Sequence, residues 1–326
     1  MVGAHLLLNL VQNHDAVKAI HRPQSDLERV KKVFAYYVEN ANDLFQKIHW
    51  IEADLNDIPA LEMAFAGVTI VYHAAALISF DPGDYKHLYR TNVNGTANVV
   101  NLCIEKGVRK LCYTSTIGAI GKSSGDALAT EENEWSDTEA NVYALTKYWA
   151  EMEVWRGSQE GLPVVILNPG VIIGPGFWEG GTGDLFATAN KGYSYYPPGG
   201  TGFVSIHDII KTMVSLMDSK IHNERFITVA QNLTFKEILQ QMAPALGKPK
   251  PTKPLKYWQL EMGRCFDWLR NLFTGKGRRI TKNAIKSLKQ RELYSSEKIK
   301  DALGLKFEPL EEVIAFSCGK FKEENP

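Results

Sequence analysis

The sequence predicts a doubly wound parallel α/β sheet with helices on both faces, followed by a smaller C-terminal α/β lobe. Three observations carry that prediction. Short β-branched or apolar runs recur at Ala16–His21, Lys47–Glu52, Thr69–His73, Arg109–Thr114 and Pro163–Leu167, each too short for a helix. Helical patterns separate them at Gly3–Asn13, Ser25–Val38, Asp84–Lys106 and Glu139–Gln159. Such alternation implies parallel strands joined by right-handed helical crossovers. After Pro169 the rhythm breaks: glycines and aromatics crowd residues 170–202, and further helical segments follow. We therefore expect a first domain over residues 1–169 and a lobe over 170–326, with part of about 200–220 returning to the first domain. Residues 121–141 are polar and read as a surface loop over the cleft.

The start of the chain departs from this pattern. A sheet of this class opens with a strand and a Gly-rich turn before its first helix. Met1-Val2-Gly3-Ala4-His5 reads instead as the last glycine of a G-x-x-G-x-x-G turn running straight into that helix. The first strand and two glycines are absent. Without that central strand its neighbours lose a ladder partner, at about 1–3 kcal/mol per unpaired buried group. The chain as written is thus expected to be unstable and to hold a dinucleotide poorly. A start placed at an internal Met, with one strand and the turn upstream, would remove the conflict.

Charge narrows the function. Lys+Arg and Asp+Glu both number 37, which makes no electrostatic case for nucleic acid or an anionic membrane. Four scattered cysteines without metal spacing read as reduced thiols of a cytoplasmic protein. No apolar stretch reaches about twenty residues, so no transmembrane helix is expected, and the first residues lack signal-peptide features.

The chemistry concentrates in Tyr143-Ala-Leu-Thr-Lys147 and in the hydroxyl cluster Thr114-Ser115-Thr116. Residues four apart share a helix face, so Tyr143 and Lys147 are expected to point into one cleft. An ammonium beside a phenol lowers the tyrosine pKa toward neutrality, and a nearby hydroxyl can hold a carbonyl oxygen for proton transfer. An ordinary amphipathic helix with Tyr packed and Lys solvated would carry the same pentapeptide.

The order of motifs resembles the extended short-chain dehydrogenase/reductases, also called the NAD-dependent epimerase/dehydratase family. The likeness runs from Gly3 to about Gly247 and more weakly to Leu310. Asp54-Leu55 follows the expected strand at 47–52, and His73-Ala74-Ala75-Ala76 ends the next. Asn92 to Thr96 lies on the following helix, Thr114 to Thr116 on the next strand end, and Asn168-Pro169-Gly170-Val171-Ile172 further on. The resemblance implies a Rossmann-like fold and hydride transfer between nicotinamide and a small-molecule ketone, aldehyde or secondary alcohol. It implies Tyr143 as acid/base, Lys147 on the nicotinamide ribose, and Thr116 on the substrate oxygen, with Ser115 as fallback. Gly3, Arg22, Asp54, Leu55, Ala74, Ala75, Asn92, Pro169 and Ile172 would flank the cofactor. Asn92 fits a satisfied polar helix residue equally well, and His73 reads as structural.

Where NAD enzymes of this fold carry an acid, this chain has His21-Arg22. A guanidinium fork matches a 2′-phosphate, so NADP(H) is preferred, with NAD(H) second; a solvated Arg22 is the plainer reading. Ile117-Gly118 after Thr116 offers no carboxylate for dehydration. Phe177-Trp178 and Tyr193 to Tyr196 suggest an aromatic substrate lining, or simply lobe core. The whole looks closest to the dihydroflavonol-reductase-like and 3β-hydroxysteroid-dehydrogenase-like branch. A sugar-nucleotide epimerase or a non-catalytic nucleotide-binding scaffold is the alternative, and a homodimer fits the family. Leu255, Trp258, Met262, Phe266, Leu269 and Phe273 fall at helical spacing before Gly275-Lys276-Gly277-Arg278-Arg279. A membrane-surface helix looks like this, but the commoner reading is a helix packing its apolar face inward.

Overall fold

The computed structural model describes the chain apart from residues 124, 126, 275–281 and 326. The expected strands form within one or two residues of their expected limits: β1 Val17–His21, β2 Ile48–Glu52, β3 Ile70–His73, β4 Lys110–Thr114 and β5 Val164–Pro169. Around them lie α1 Val2–Asn13, α2 Leu27–Ala35, α3 Ala41–Gln46, α4 Ile58–Phe65, α5 Tyr85–Leu88, α6 Gly95–Glu105 and α7 Val142–Gln159. Then follow β6 Val171–Ile173, α8 Gly183–Asn190, β7 Tyr195–Tyr196, β8 Gly200–Ser205, α9 Ile206–Asp218, β9 Glu224–Thr228 and β10 Gln231–Thr234. The C-terminal part holds α10 Phe235–Ala245, β11 Lys253–Pro254, α11 Tyr257–Thr274, α12 Lys282–Lys289, α13 Glu297–Leu303 and α14 Leu310–Glu324.

Two parallel sheets form the first domain. Strands β3, β4, β5 and β9 make a four-stranded sheet, while β1 and β2 pair only with each other. Among the described residues β1 and β3 do not pair. The consequence shows in burial. Every residue of β4 and β5 is buried, whereas in β3 only His73 is, and in β1 only Val17. A strand flanked on both edges and covered on both faces is shielded at every position; these two are not.

Alternation along the central strands sorts side chains between two cores. Cys112, Val165 and Leu167 pack with Leu6, Leu8 and Val11 of α1 and with Ile209 and Met213 of α9. Leu111, Tyr113 and Ile166 pack on the opposite face with Val100 of α6 and Val154 of α7. A third core, around Ile173, Phe203, Met242 and Phe321, belongs to the C-terminal part. The segment Val204 to Met217 thus shares the core of α1 and β5 rather than that of α8 and α10.

Three expectations need correction. Helices α3 and α4 were unforeseen, although Asp57 caps α4, its carboxylate accepting from Ala60 N at 3.2 Å, with Pro59 in the first turn. The long helix expected over 84–106 is broken by a π-turn at Tyr89–Asn94. Most consequential, α11 does not bury its apolar side. Trp258, Met262, Phe266 and Phe273 are exposed, Phe273 by 82%. The Leu269 side chain and residues 275–279 lie outside the described residues. The expected loop over 121–141 is pinned, since Ala129 bridges to Tyr294 and Glu131 accepts from Ile227 N at 2.7 Å. No described helix is long and apolar enough to cross a membrane.

Candidate active site

The singled-out residues converge at the carboxyl ends of the parallel strands, where ligands of open α/β sheets bind. Arg22 follows β1, Asp54 and Leu55 follow β2, Ala74 and Ala75 follow β3, Thr116 follows β4, and Pro169 ends β5 just before Ile172 in β6. Gly3 lies in the first turn of α1, whose N-terminus no side chain caps. The surroundings suit an extended ligand bearing phosphates. A Cβ at Gly3 would meet nothing within 4 Å, Ala75 is exposed, and an uncapped helix N-terminus attracts anions. Arg22 is exposed, and its N–H donates to Ser25 Oγ at 3.1 Å. Asp54 accepts from the backbone and side chain of Asn56, which hold its carboxyl below the usual range, with smaller pulls from Arg22 and Arg90. Leu55 is buried, and its carbonyl accepts from Asn98.

Tyr143 sits in the first turn of α7, which Asn141 caps by accepting from Ala144 N at 2.8 Å. It is half-buried, and Phe80 packs edge-on against its ring at 5.8 Å. Lys147 lies one turn on and is 1% exposed. Its ammonium donates to Tyr113 Oη at 2.6 Å and to the Thr114 carbonyl at 2.8 Å, both on β4. The expected lowering of the tyrosine pKa is therefore absent in this structure. Burial pushes the Tyr143 phenol up to about 12. Burial also pulls Lys147 down to about 7, and the charge of Glu151 only partly offsets that. At neutral pH the Tyr143 phenol is therefore protonated.

The hydroxyl cluster divides its labour. Ser115 is committed, since its Oγ donates to Glu151 Oε2 at 2.6 Å in a buried setting. Thr116 is half-buried, and its Oγ1 accepts from Gly118 N at 3.2 Å. That bond uses an acceptor lone pair and leaves the O–H able to donate.

Glu151 is the residue that sequence reasoning missed. It is wholly buried, and besides Ser115 it accepts from Asn168 Nδ2 at 2.9 Å and from Arg225 Nη1 at 3.2 Å. Asn168 also donates to the Thr116 carbonyl at 3.0 Å. One carboxylate thereby ties the loop after β4 to β5, β9 and α7. The available signal was spacing, because Glu151 stands four residues beyond Lys147 on the same helical face. Asn92 binds the Leu77 backbone in both directions, at 2.8 and 3.0 Å, and donates to Thr146 Oγ1 at 3.1 Å. It orders the loop facing Tyr143. His73 accepts or donates at Thr96 Oγ1, 2.9 Å away, and burial holds it near pKa 3, which fits its expected structural role.

Of the aromatics expected to line a substrate site, Trp178 and Tyr196 pack on the C-terminal core, with Trp178 edge-on to Phe186 and Phe321 at 5.2 Å each. Tyr193 and Tyr195 are exposed. The apolar group beside Tyr143 is instead the exposed Phe80 of the loop after β3, a loop in which Ile78 is exposed as well. A concavity of about 670 Å³ between residues 131–135 and α7 contains none of the strand-end residues.

Comparison with known proteins agrees with this geometry. The NAD-binding family described as Male sterility protein matches residues 1–222. Sterol demethylase protein B of Methylococcus capsulatus is 31% identical over 257 residues, covering 77% of this chain and 73% of its own. Cinnamoyl-CoA reductase 1 of Petunia hybrida is 25% identical over 301 residues, covering 86% of this chain and 78% of its own. The solved structure of gox2253 has the same fold, with a TM-score of 0.81 at 24% identity and coverage of 99% and 96%. The chain belongs to this male sterility protein family of the extended short-chain dehydrogenase/reductases, and it is an NAD(P)-dependent oxidoreductase.

Proposed function

We propose that the protein reduces an apolar, ring-bearing ketone or aldehyde with NADPH, Tyr143 giving the proton to the carbonyl oxygen. The observation that carries this reading is the Tyr143 phenol set against the exposed Phe80 with ring centres 5.8 Å apart, one turn before the buried Lys147, with burial holding the phenol protonated. The Thr116 hydroxyl donates to the same substrate oxygen and fixes it for proton transfer. Lys147 holds the nicotinamide ribose, and its position is set by Tyr113 and Thr114 of β4. Gly3, Asp54, Leu55, Ala74, Ala75, Asn92, Pro169 and Ile172 border the cofactor, directly or by ordering the loops around it. When bound, the cofactor supplies the hydride to the carbonyl carbon. Arg22 is proposed to pair with the 2′-phosphate that distinguishes NADPH. In this division residues 1–169, joined by Ile172 and by part of about 200–220, form the cofactor side and the rest of 170–326 the substrate side, and the names of two relatives refer to cinnamoyl-CoA and to sterol.

The test is NADPH oxidation screened against aldehydes, ketosteroids, flavonoid-like ketones and sugar nucleotides, followed by Tyr143→Phe on the best substrate. Loss of a proton donor costs roughly 10²–10⁴-fold in turnover, with cofactor affinity spared. Unchanged turnover would remove Tyr143 from the mechanism.

A further inference from the structure

Helix α11 is amphipathic with its sides reversed. Leu260 and Asp267 are buried, and the charged residues pair along the helix, Arg264 with Glu261 at 2.7 Å and Arg270 with Asp267 at 2.8 Å. The opposite side carries Trp258, Met262, Phe266, Trp268, Leu272 and Phe273, all exposed, Phe266 by 65% and Leu272 by 63%. At about 100° per residue these cover roughly half of the circumference, a sector that also holds Glu261, paired with Arg264. An apolar surface of this extent, rich in Trp and Phe, marks an interaction site rather than scattered exposure.

The flanking sequence indicates what covers it. Residues 248–260 hold four lysines (Lys248, Lys250, Lys253 and Lys256) and no carboxylate. Residues 275–291 hold seven Lys and Arg, from Lys276 to Arg291, again with no carboxylate. The chain as a whole balances 37 cations against 37 anions, so this asymmetry is local and the bulk balance conceals it. The described cations stand beside the helix. Lys253 lies in β11, whose partner β7 carries the exposed Tyr195, and Lys289 of α12 sits 4.1 Å over the Tyr257 ring. A second copy of this chain would bring like-charged flanks together across a self-complementary contact. A surface of negative charge over a hydrocarbon layer complements both features at once.

We propose that α11 and its basic flanks seat the enzyme on an anionic phospholipid bilayer, the helix lying in the interface with its aromatic side inserted. This inference goes beyond the oxidoreductase reading and stands or falls separately from it.

The experiment is co-sedimentation of the full chain with phosphatidylcholine vesicles, with and without phosphatidylglycerol, at low and high salt. We expect binding to the anionic vesicles, little to the neutral ones, and release by salt. Trp258→Ser, Phe266→Ser and Phe273→Ser combined should weaken binding at least about tenfold, with melting temperature and NADPH binding unchanged. Lys253→Glu with Lys256→Glu should weaken it by roughly fivefold or more per charge. These two exposed lysines serve as the deciding pair if the triple variant fails to fold. Absence of binding to anionic vesicles, or equal binding to neutral ones, overturns the proposal. So does a dimer in sedimentation velocity that the triple variant converts to monomer without any vesicle binding.

Discussion

Glu151 supplies the sharpest test of how the site is held together. Its carboxylate is wholly buried and accepts from Ser115, Asn168 and Arg225. The Arg225 side chain is 20% exposed, so solvent screens the pair little. Glu151→Ala removes the acceptor and leaves two buried donors and a mostly buried guanidinium without it. Breaking a buried ion pair by deleting one partner costs about 3–5 kcal/mol, a large part of a domain's stability of about 5–15 kcal/mol. Glu151→Gln keeps the shape and one acceptor oxygen, and its cost should be about 1–3 kcal/mol. Urea denaturation at neutral pH, followed by intrinsic tryptophan fluorescence, reads both. A second consequence separates positioning from mere packing. The Glu151 charge now raises the pKa of Lys147, which burial has already drawn down to about 7. Without that charge Lys147 should lose its proton at lower pH, and any limb of the pH–rate profile due to Lys147 should shift downward in the Gln variant. An Ala variant within about 0.5 kcal/mol of the parent would refute the reasoning, because surface substitutions away from such networks cost no more than that.

Stability should fall on acidification. His5 and His73 are both drawn by burial from 6.5 to about 3, so the unfolded chain binds more protons than the folded one between those values. Their contribution is complete above about pH 6.5 and is lost progressively toward pH 3. Asp208, raised to about 6 by burial, acts in the opposite sense between 3.8 and 6, while the Met1 ammonium, drawn by burial from 8.0 to about 5, adds to the histidines. Thermal melts from pH 7 to 4 check the net direction, and a flat profile would contradict it. Gly170→Ala places a Cβ 2.4 Å from the Gly202 carbonyl oxygen and 2.7 Å from its carbon, both backbone, so β5 or β8 must shift. The expected cost is about 1–3 kcal/mol by urea denaturation, and an unchanged midpoint would argue against that close approach. Arg22→Asp should raise the KM for NADPH by about tenfold to a hundredfold and leave that for NADH nearly unchanged. Equal effects on both cofactors would remove Arg22 from 2′-phosphate recognition.

Much of the first domain was legible because its signals are local. Short apolar runs cannot be helices, the spacing of Tyr143 and Lys147 marks one helical face, and the order of motifs points through the family resemblance to Thr116 and the strand-end residues. The breaks came where a distant partner decides. Asn92, within the π-turn that interrupts the expected helix, binds Leu77, fifteen residues back. Ser115 and Thr116 are adjacent and chemically alike, and only the buried Glu151 beneath them separates a structural hydroxyl from an available one.

By itself the sequence determined the alternation of elements and set Tyr143 and Lys147 on one helical face. Those follow from periodicity and chain direction, which act over a few residues. Tertiary structure alone decided where the Lys147 ammonium points, which way the Tyr143 pKa moves, and which side of α11 faces solvent. Each of these depends on desolvation and on partners remote in sequence. A pentapeptide spaced for a shared proton specifies a common face, but burial decides the proton's energy. An apolar stripe specifies a surface, but only packing shows whether the protein itself covers it.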